Sequence, residues 1–152
     1  MTELDLQGVG KKLIGLNRRL TRLAAYQSLS FEEYLQDEDR QATIERYLEV
    51  VIQAAIDVNK MLISSVRDVE SARITNAETF TLASELGFIT SELANQLVPS
   101  ASFRNVLAHV YDDIVPEMAY RALQLAVTQY TQYIQQIQNY LNSLETDDDD
   151  DF

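Results

Sequence analysis

The chain has 152 residues, the length of one domain with a single apolar core. It contains no cysteine, which excludes disulfides, zinc–thiolate sites and cysteine nucleophiles. Its formal net charge of −12 argues against a nucleic-acid partner unless the charge is unevenly spread. Residues 145–151 hold six of the 24 acidic side chains, and residues 11–22 hold five of the 12 basic ones. A locally positive surface is therefore compatible with the sequence, as is a merely solvated helix face.

The first half of the chain is predicted to be helical. Leucines recur at helical spacing in a first helix over about residues 4–27. The pattern Ser30-x-x-Glu33 is a capping box that opens a second helical stretch. Acidic residues at 37–39 suit the N-terminus of the longest helix, whose apolar face over residues 44–63 predicts a central place in the core.

In the second half, a polar loop is predicted over residues 67–73. Thr75 or Asn76 is expected to cap the next helix, which Gly87 ends.

Two prolines divide the last third of the chain. A helix over residues 90–97 is expected to end at Pro99, and a further segment carries residues 104–109. Pro116 is predicted to open a last long helix that runs to about Leu144, because a proline in the first turn loses no hydrogen bond.

These elements predict one all-α domain over residues 1–145, an up-and-down bundle of about five to six helices. The like charges of residues 146–152 predict a disordered acidic tail. An alternative is that this tail mimics a nucleic-acid backbone and covers a basic groove.

The N-terminal residues lack the pattern of a signal peptide, and no run of about 18 apolar residues occurs. We therefore expect a cytoplasmic protein without a membrane partner.

Candidate chemistry is concentrated in residues 104–111, which read RNVLAHVY. His109 is the only histidine, and a lone histidine in a helical protein is most often structural. However, histidine transfers protons near neutral pH, and the guanidinium of Arg104 offers a fork for phosphate oxygens. In a continuous helix Arg104 and Tyr111 share a face while His109 points away, so the three meet only if the helix ends near His109.

These groups suit a ribonuclease that needs no metal. Such an enzyme requires a base for the ribose 2′-hydroxyl, a cation for the phosphorane and an acid for the leaving oxygen. One histidine does not easily fill both proton-transfer roles, so a symmetric dimer with two copies of His109 and Arg104 in one cleft is chemically attractive. The sequence has no Gly-rich phosphate loop and no Glu-x-x-His metal motif, and we expect neither a cofactor nor a metal. The tyrosines of the last helix are expected to pack in the core or, as a partly exposed stripe, to form a dimer seam: Tyr120, Tyr130, Tyr133 and Tyr140.

The pattern Arg104-x4-His109-x-Tyr111 resembles the signature of HepT-like toxins, the HEPN half of the HepT/MntA toxin–antitoxin pairs. The resemblance extends over about residues 13–142. Further similar stretches are residues 44–58, residues 79–89 and Phe103.

This resemblance implies a HEPN-like homodimer that acts as the toxin of a type VII toxin–antitoxin pair, a metal-independent endonuclease for tRNA or mRNA. Arg104 would bind and polarise phosphate, His109 would be the acid and base, and Asn105 would be an auxiliary polar contact. Tyr111 would receive AMP from a MntA-like nucleotidyltransferase antitoxin, and the added negative charge would repel RNA. The alternative is a non-catalytic HEPN-like subunit that docks a nucleotidyltransferase or binds a nucleotide, with a structural His109.

Overall fold

The computed structural model of the chain describes residues 2–67, 73–109 and 114–150. Within these ranges the chain forms helices and no strand, so the predicted all-α helical bundle is confirmed. The six helices of this part of the chain are α1 (Glu3–Ala24), α2 (Phe31–Leu35), α3 (Glu38–Val66), α4 (Asn76–Glu85), α5 (Ser91–Ala108) and α6 (Pro116–Asp150).

Side-chain caps begin the helices where the sequence predicted them. The Ser30 hydroxyl accepts from the Glu33 N–H, and the Glu33 carboxylate accepts from the Ser30 N–H. Asp37 caps α3, and Thr75 caps α4 through a second capping box. Each cap satisfies backbone N–H groups that the first turn leaves without a partner, which fixes where the helix starts.

Helix α3 lies at the centre of the bundle and packs against all five other helices. Helix α1 runs antiparallel to it, because Gly8 lies against Met61 while Lys12, one turn later on α1, pairs with Asp57, one turn earlier on α3. Helix α5 runs antiparallel to α6, because the Thr90 N–H donates to Gln136 and the Ser100 and Tyr130 hydroxyls lie 2.6 Å apart. The end of α5 and the start of α6 therefore meet at one end of the bundle.

A buried polar network joins three helices in the otherwise apolar core. The Tyr133 hydroxyl of α6 donates to Asn59 Oδ1 of α3, and Asn59 Nδ2 donates to the Thr79 hydroxyl of α4 at 3.2 Å. All three side chains are fully buried. Burial raises the pKa of the Tyr133 hydroxyl far above its ordinary value, so the network is neutral.

Pro99 does not end a helix, contrary to the prediction. Helix α5 continues through it from Ser91 to Ala108 as one element. A proline in a helix removes one backbone hydrogen bond and costs about 3 kcal/mol. Apolar side chains are buried on both sides of the proline and offset that cost: Leu93, Ala94, Leu97, Ala101, Phe103 and Leu107.

The last helix is longer than predicted. Its start at Pro116 is confirmed, but the helical backbone continues to Asp150 instead of ending near Leu144. No glycine or proline follows Leu144 to stop the helix, and each added residue gains one backbone hydrogen bond. The predicted domain boundary at residue 145 and the predicted disorder of residues 146–152 stay predictions, and residues 151–152 lie outside the described residues.

In the part of the chain that the structure describes, no helix combines the length and apolar character needed to cross a membrane.

Candidate functional site

Helix α5 ends at His109, as the sequence predicted. His109 is the C-cap residue, with extended backbone angles of φ −100° and ψ 90°, and its N–H donates to the Asn105 carbonyl oxygen at 3.2 Å. The His109 side chain is exposed to solvent. The last hydrogen bond of the helix thus fixes the His109 backbone and leaves the imidazole at the surface.

Arg104 lies five residues earlier on the same helix and is half-buried. Its Nε atom is shielded from solvent and has no hydrogen-bond partner among the described residues. A guanidinium carries five N–H donors, and a buried donor without a partner is costly. The Arg104 guanidinium thus makes no hydrogen bond or ion pair with a described residue, and its terminal N–H groups are not engaged within the part of the chain that the structure describes.

The other two motif residues are Asn105, which the structure describes, and Tyr111, which it does not. Asn105 is exposed, and its backbone carbonyl holds the His109 N–H. Tyr111 lies outside the described residues, so its predicted convergence with Arg104 and His109 stays a prediction. The structure brings Arg104, Asn105 and His109 to the last turns of one helix, which also faces the start of α6.

A groove of about 360 Å³ opens between α5 and α6, and Phe103, next to Arg104, is among its lining residues. Its wall is largely apolar, and the α3 residues Leu48 and Ile52 also line it. Arg121 of α6 lines it too, and the sequence analysis missed this residue because Arg121 belongs to no motif. The remaining lining residues are Gln96, Pro99, Ser100, Met118, Ala122, Leu125, Ala126, Gln129 and Tyr130.

Four large apolar side chains near this helix end are 43 to 50% exposed, and we call them the α5–α6 apolar set: Val106, Val115, Met118 and Leu125. Met118 and Leu125 lie in the groove itself. Sequence periodicity did not reveal the set, because aliphatic residues on a helix predict burial within the chain.

The tyrosines of α6 form no exposed stripe, so the predicted tyrosine dimer seam is wrong and their packing role is confirmed. Tyr130 and Tyr133 are fully buried. The Tyr120 hydroxyl donates to the Leu29 carbonyl at 2.6 Å, and the Tyr140 ring packs on Phe88 with centroids 4.7 Å apart.

The sequence did not point to a half-buried carboxyl group, that of Glu45. Glu45 lies one turn before Leu48 on the face of α3 that packs towards α5 and α6, and burial raises the pKa of its carboxyl. Glu45 in turn raises the pKa of the buried Tyr34, after the larger effect of burial. The signal that predicts such a group is a carboxylate at an apolar position of the helical repeat.

Among the described residues, no three histidine, aspartate or glutamate side chains cluster as ligands for one metal ion.

Comparison with known proteins places these residues in a family. The model of the family "Ribonuclease HepT-like" matches residues 16–137, which include Arg104 and His109. The chain belongs to the HepT-like family. A HepT-like relative, the tRNA nuclease HepT of Aphanizomenon flos-aquae (strain 2012/KM1/D3), is 36% identical over 130 residues. That match covers 86% of this chain and 87% of the relative.

Solved structures share the HepT-like fold. The tri-AMPylated HEPN toxin of Shewanella oneidensis, in complex with its MNT antitoxin, is similar with a TM-score of 0.73 and 19% identity. The match covers 91% of this chain and 99% of that toxin. YutE of Bacillus subtilis, a cytosolic protein of unknown function, has a TM-score of 0.76 at 17% identity, with coverage of 91% and 92%. At these identities the likeness concerns the fold alone.

Proposed function

We propose that this HepT-like chain is the toxin of a toxin–antitoxin pair and cleaves RNA, either tRNA or mRNA, with Arg104 and His109 and without a metal ion. The observation that carries the proposal is the end of α5 at His109, which exposes the imidazole five residues after a half-buried arginine whose guanidinium has no hydrogen bond with a described residue. Family membership and the tRNA nuclease relative support the same reaction.

The chemistry needs two proton transfers and one charge stabilisation. A base removes the proton of the ribose 2′-hydroxyl, whose oxygen attacks the adjacent phosphorus and forms a cyclic phosphate. The bond to the 5′-oxygen breaks, and an acid protonates that oxygen as it leaves. An imidazole can perform either transfer near neutral pH, and the fixed fork of Arg104 matches the phosphorane oxygens. Asn105 adds an exposed amide beside them.

We place the two proton transfers in two copies of the chain. His109 is the only histidine, so a homodimer supplies the base from one copy and the acid from the other. The α5–α6 apolar set supports this arrangement, because exposed aliphatic side chains near the helix end favour a second protein surface there.

The first experiment incubates tRNA with the purified protein in EDTA. We expect cleavage by the wild type, and a rate at least about 100-fold lower for His109→Ala because proton transfer is lost. Arg104→Ala should lose a similar factor through weaker charge stabilisation. His109 caps α5 through its backbone, so circular dichroism of His109→Ala should match the wild type.

Asn139→Ala, an exposed position elsewhere on α6, is the matched control and should cleave like the wild type. Cleavage that needs a divalent metal, or that survives the loss of His109, would overturn the mechanism. Intact RNA with the wild type would favour the non-catalytic binding subunit.

We propose further that a nucleotidyltransferase antitoxin silences the toxin by adding AMP to Tyr111. A HEPN toxin of the same fold, from Shewanella oneidensis, is tri-AMPylated in complex with its MNT antitoxin, which supports AMP as the modification. Each AMP adds negative charge next to the motif and repels the RNA backbone.

The second experiment treats the protein with ATP and a MntA-like nucleotidyltransferase antitoxin. We expect an AMP mass increase on the Tyr111 peptide and loss of cleavage. Tyr111→Phe should gain no mass there and keep cleaving. Tyr47→Phe, a change at a half-buried tyrosine of α3, is the control and should still be modified. Modification of Tyr111→Phe with full inhibition would refute the assignment.

A further inference from the structure

A second groove, of about 300 Å³, lies between α1 and α3, and we call it the α1–α3 groove. It lies on another side of α3 from Leu48 and Ile52, which face the α5–α6 groove. Its lining residues are Lys11, Lys12, Gly15, Leu16, Arg19, Arg46, Glu49, Val50, Gln53, Ala54 and Asp57.

The α1–α3 groove is positive in a protein whose net charge is −12. It contains four cations and two carboxylates, and each carboxylate is already engaged. Asp57 binds Lys12 through Oδ2 at 3.1 Å and Gln53 through Oδ1 at 2.8 Å. The other carboxylate, Glu49, pairs with Arg46 at 3.3 Å.

The other two cations, Lys11 and Arg19, have no ion pair with any described residue. They lie eight residues apart on α1, which is about 12 Å along the helix axis. One phosphate is held by donors that converge on it, whereas cations two turns apart suit a ligand with charges repeated along its length. The ligand that this groove fits is therefore a polyanion.

Gly15 leaves the groove open between these two cations. A Cβ atom at Gly15 would meet no other atom within 4 Å, so the glycine is not required by packing. In a helix interior glycine costs about 1 kcal/mol relative to alanine. The open space therefore adds to the room that a backbone of sugar and phosphate needs close to the helix.

We propose that the α1–α3 groove binds the sugar–phosphate backbone of the RNA substrate, away from the cleaved bond. The proposal rests on the proposed ribonuclease function. Arg19 lies nearer than Lys11 to the end of the bundle where α5 finishes and α6 starts, because the Gln27 carbonyl, just beyond α1, accepts from Gln124 of α6 at 3.0 Å. RNA phosphates that bind between Lys11 and Arg19 would then keep the substrate on the same helical bundle that carries His109.

The experiment uses two glycines of α1 as a matched pair. Gly15→Glu places a carboxylate among Lys11, Lys12 and Arg19. Gly10→Glu adds the same charge to a groove between α1 and α6 whose lining residues are all uncharged. A Cβ atom at Gly10 also meets nothing within 4 Å, so both variants should fold at least as well as the parent.

Binding of fluorescently labelled tRNA is measured by anisotropy at several salt concentrations, in a His109→Ala background that prevents cleavage. We expect Gly15→Glu to bind about tenfold more weakly at 0.15 M salt, and the slope of log K against log salt to become shallower by about 1 to 2, because about 0.9 ion is released per phosphate contact. Lys11→Gln with Arg19→Gln should give the same change without an added carboxylate. Gly10→Glu should change the affinity less than twofold.

If Gly15→Glu and Gly10→Glu bind tRNA with equal affinity while the parent still binds it, the groove assignment is overturned and the proposed ribonuclease function is not. Gly15→Glu that binds tRNA normally but no longer co-elutes with the nucleotidyltransferase would also overturn it and assign the groove to a protein partner. Failure of the wild type to cleave or bind both tRNA and mRNA would instead refute the proposed function on which the groove assignment rests.

Discussion

Two buried tyrosines of this bundle differ in what their hydroxyl groups do. Tyr133 donates to Asn59 within the buried network, while Tyr34 is likewise inaccessible to solvent and its hydroxyl has no hydrogen-bond partner among the described residues. Burial first, and the charge of Glu45 second, raise the pKa of Tyr34 to about 12. The two hydroxyls should therefore contribute to stability with opposite signs.

Replacing each tyrosine with phenylalanine tests this difference. Tyr133→Phe should lower the free energy of unfolding by about 1–3 kcal/mol, because it leaves Asn59 without its partner. Tyr34→Phe should leave that free energy unchanged or raise it by up to about 1 kcal/mol, because it removes an unpaired hydroxyl. Urea unfolding at one fixed protein concentration measures both. An equal loss in the two variants would contradict the assignment.

The pH dependence of the Tyr34 variant provides a control. A pKa raised on folding means that the folded state disfavours the ionised phenol, so its titration leaves the stability unchanged below the ordinary pKa of 10 and lowers the stability as the pH rises towards 12. Tyr34→Phe lacks this titration. The stability of the wild type should thus fall more steeply than that of Tyr34→Phe between these pH values.

At the residue scale, the sequence predicts which residues belong to the candidate site better than it predicts how exposed their side chains are. The spacing of Arg104 and His109 was sufficient to propose phosphate chemistry, and the following acidic and proline residues were sufficient to predict the helix end. The exposure of the imidazole and the shielded Nε of Arg104 depend on how α5 packs against α3 and α6. A one-dimensional pattern does not specify that packing.

Among the helices, the ends are better determined by sequence than the interiors. Thr75 and Gly87 mark the two ends of α4 through a hydroxyl cap and a φ of 85°. Such signals are local, so the sequence alone predicted them. The same local reasoning gave a wrong prediction at Pro99. The free-energy cost of a proline inside a helix is offset there by the apolar side chains that α5 buries in the core.

Gly87 gives a test at this scale, with Gly10 as its control. Gly87→Ala should lower the free energy of unfolding by about 1–2 kcal/mol, since the left-handed backbone disfavours a Cβ. Gly10→Ala, inside α1 and free of steric contacts, should raise it by about 0.5–1 kcal/mol. Urea unfolding followed by far-ultraviolet circular dichroism measures both. A neutral or stabilising Gly87→Ala would show that α4 does not depend on this turn.

For the whole molecule, the helical bundle was predictable and its contacts were not. Amphipathic periodicity gives the helices and their apolar faces, yet it does not say which faces pair. The meeting of α5 with the start of α6, and the pairing of α1 with α3 that forms the second groove, arise only from the packing of α3 against all its neighbours.

The length of α6 has an electrostatic consequence for the candidate site. Its 35 residues extend about 50 Å from Pro116, at the end of the bundle where α5 finishes, to Asp150 at the other. The Debye length at physiological salt is about 8 Å. The C-terminal end of the α6 backbone is thus several Debye lengths from the start of that helix, and the repulsion of charges carried there is screened at that distance. An RNA phosphate that approaches Arg104 therefore meets a far weaker negative field than the net charge of −12 implies.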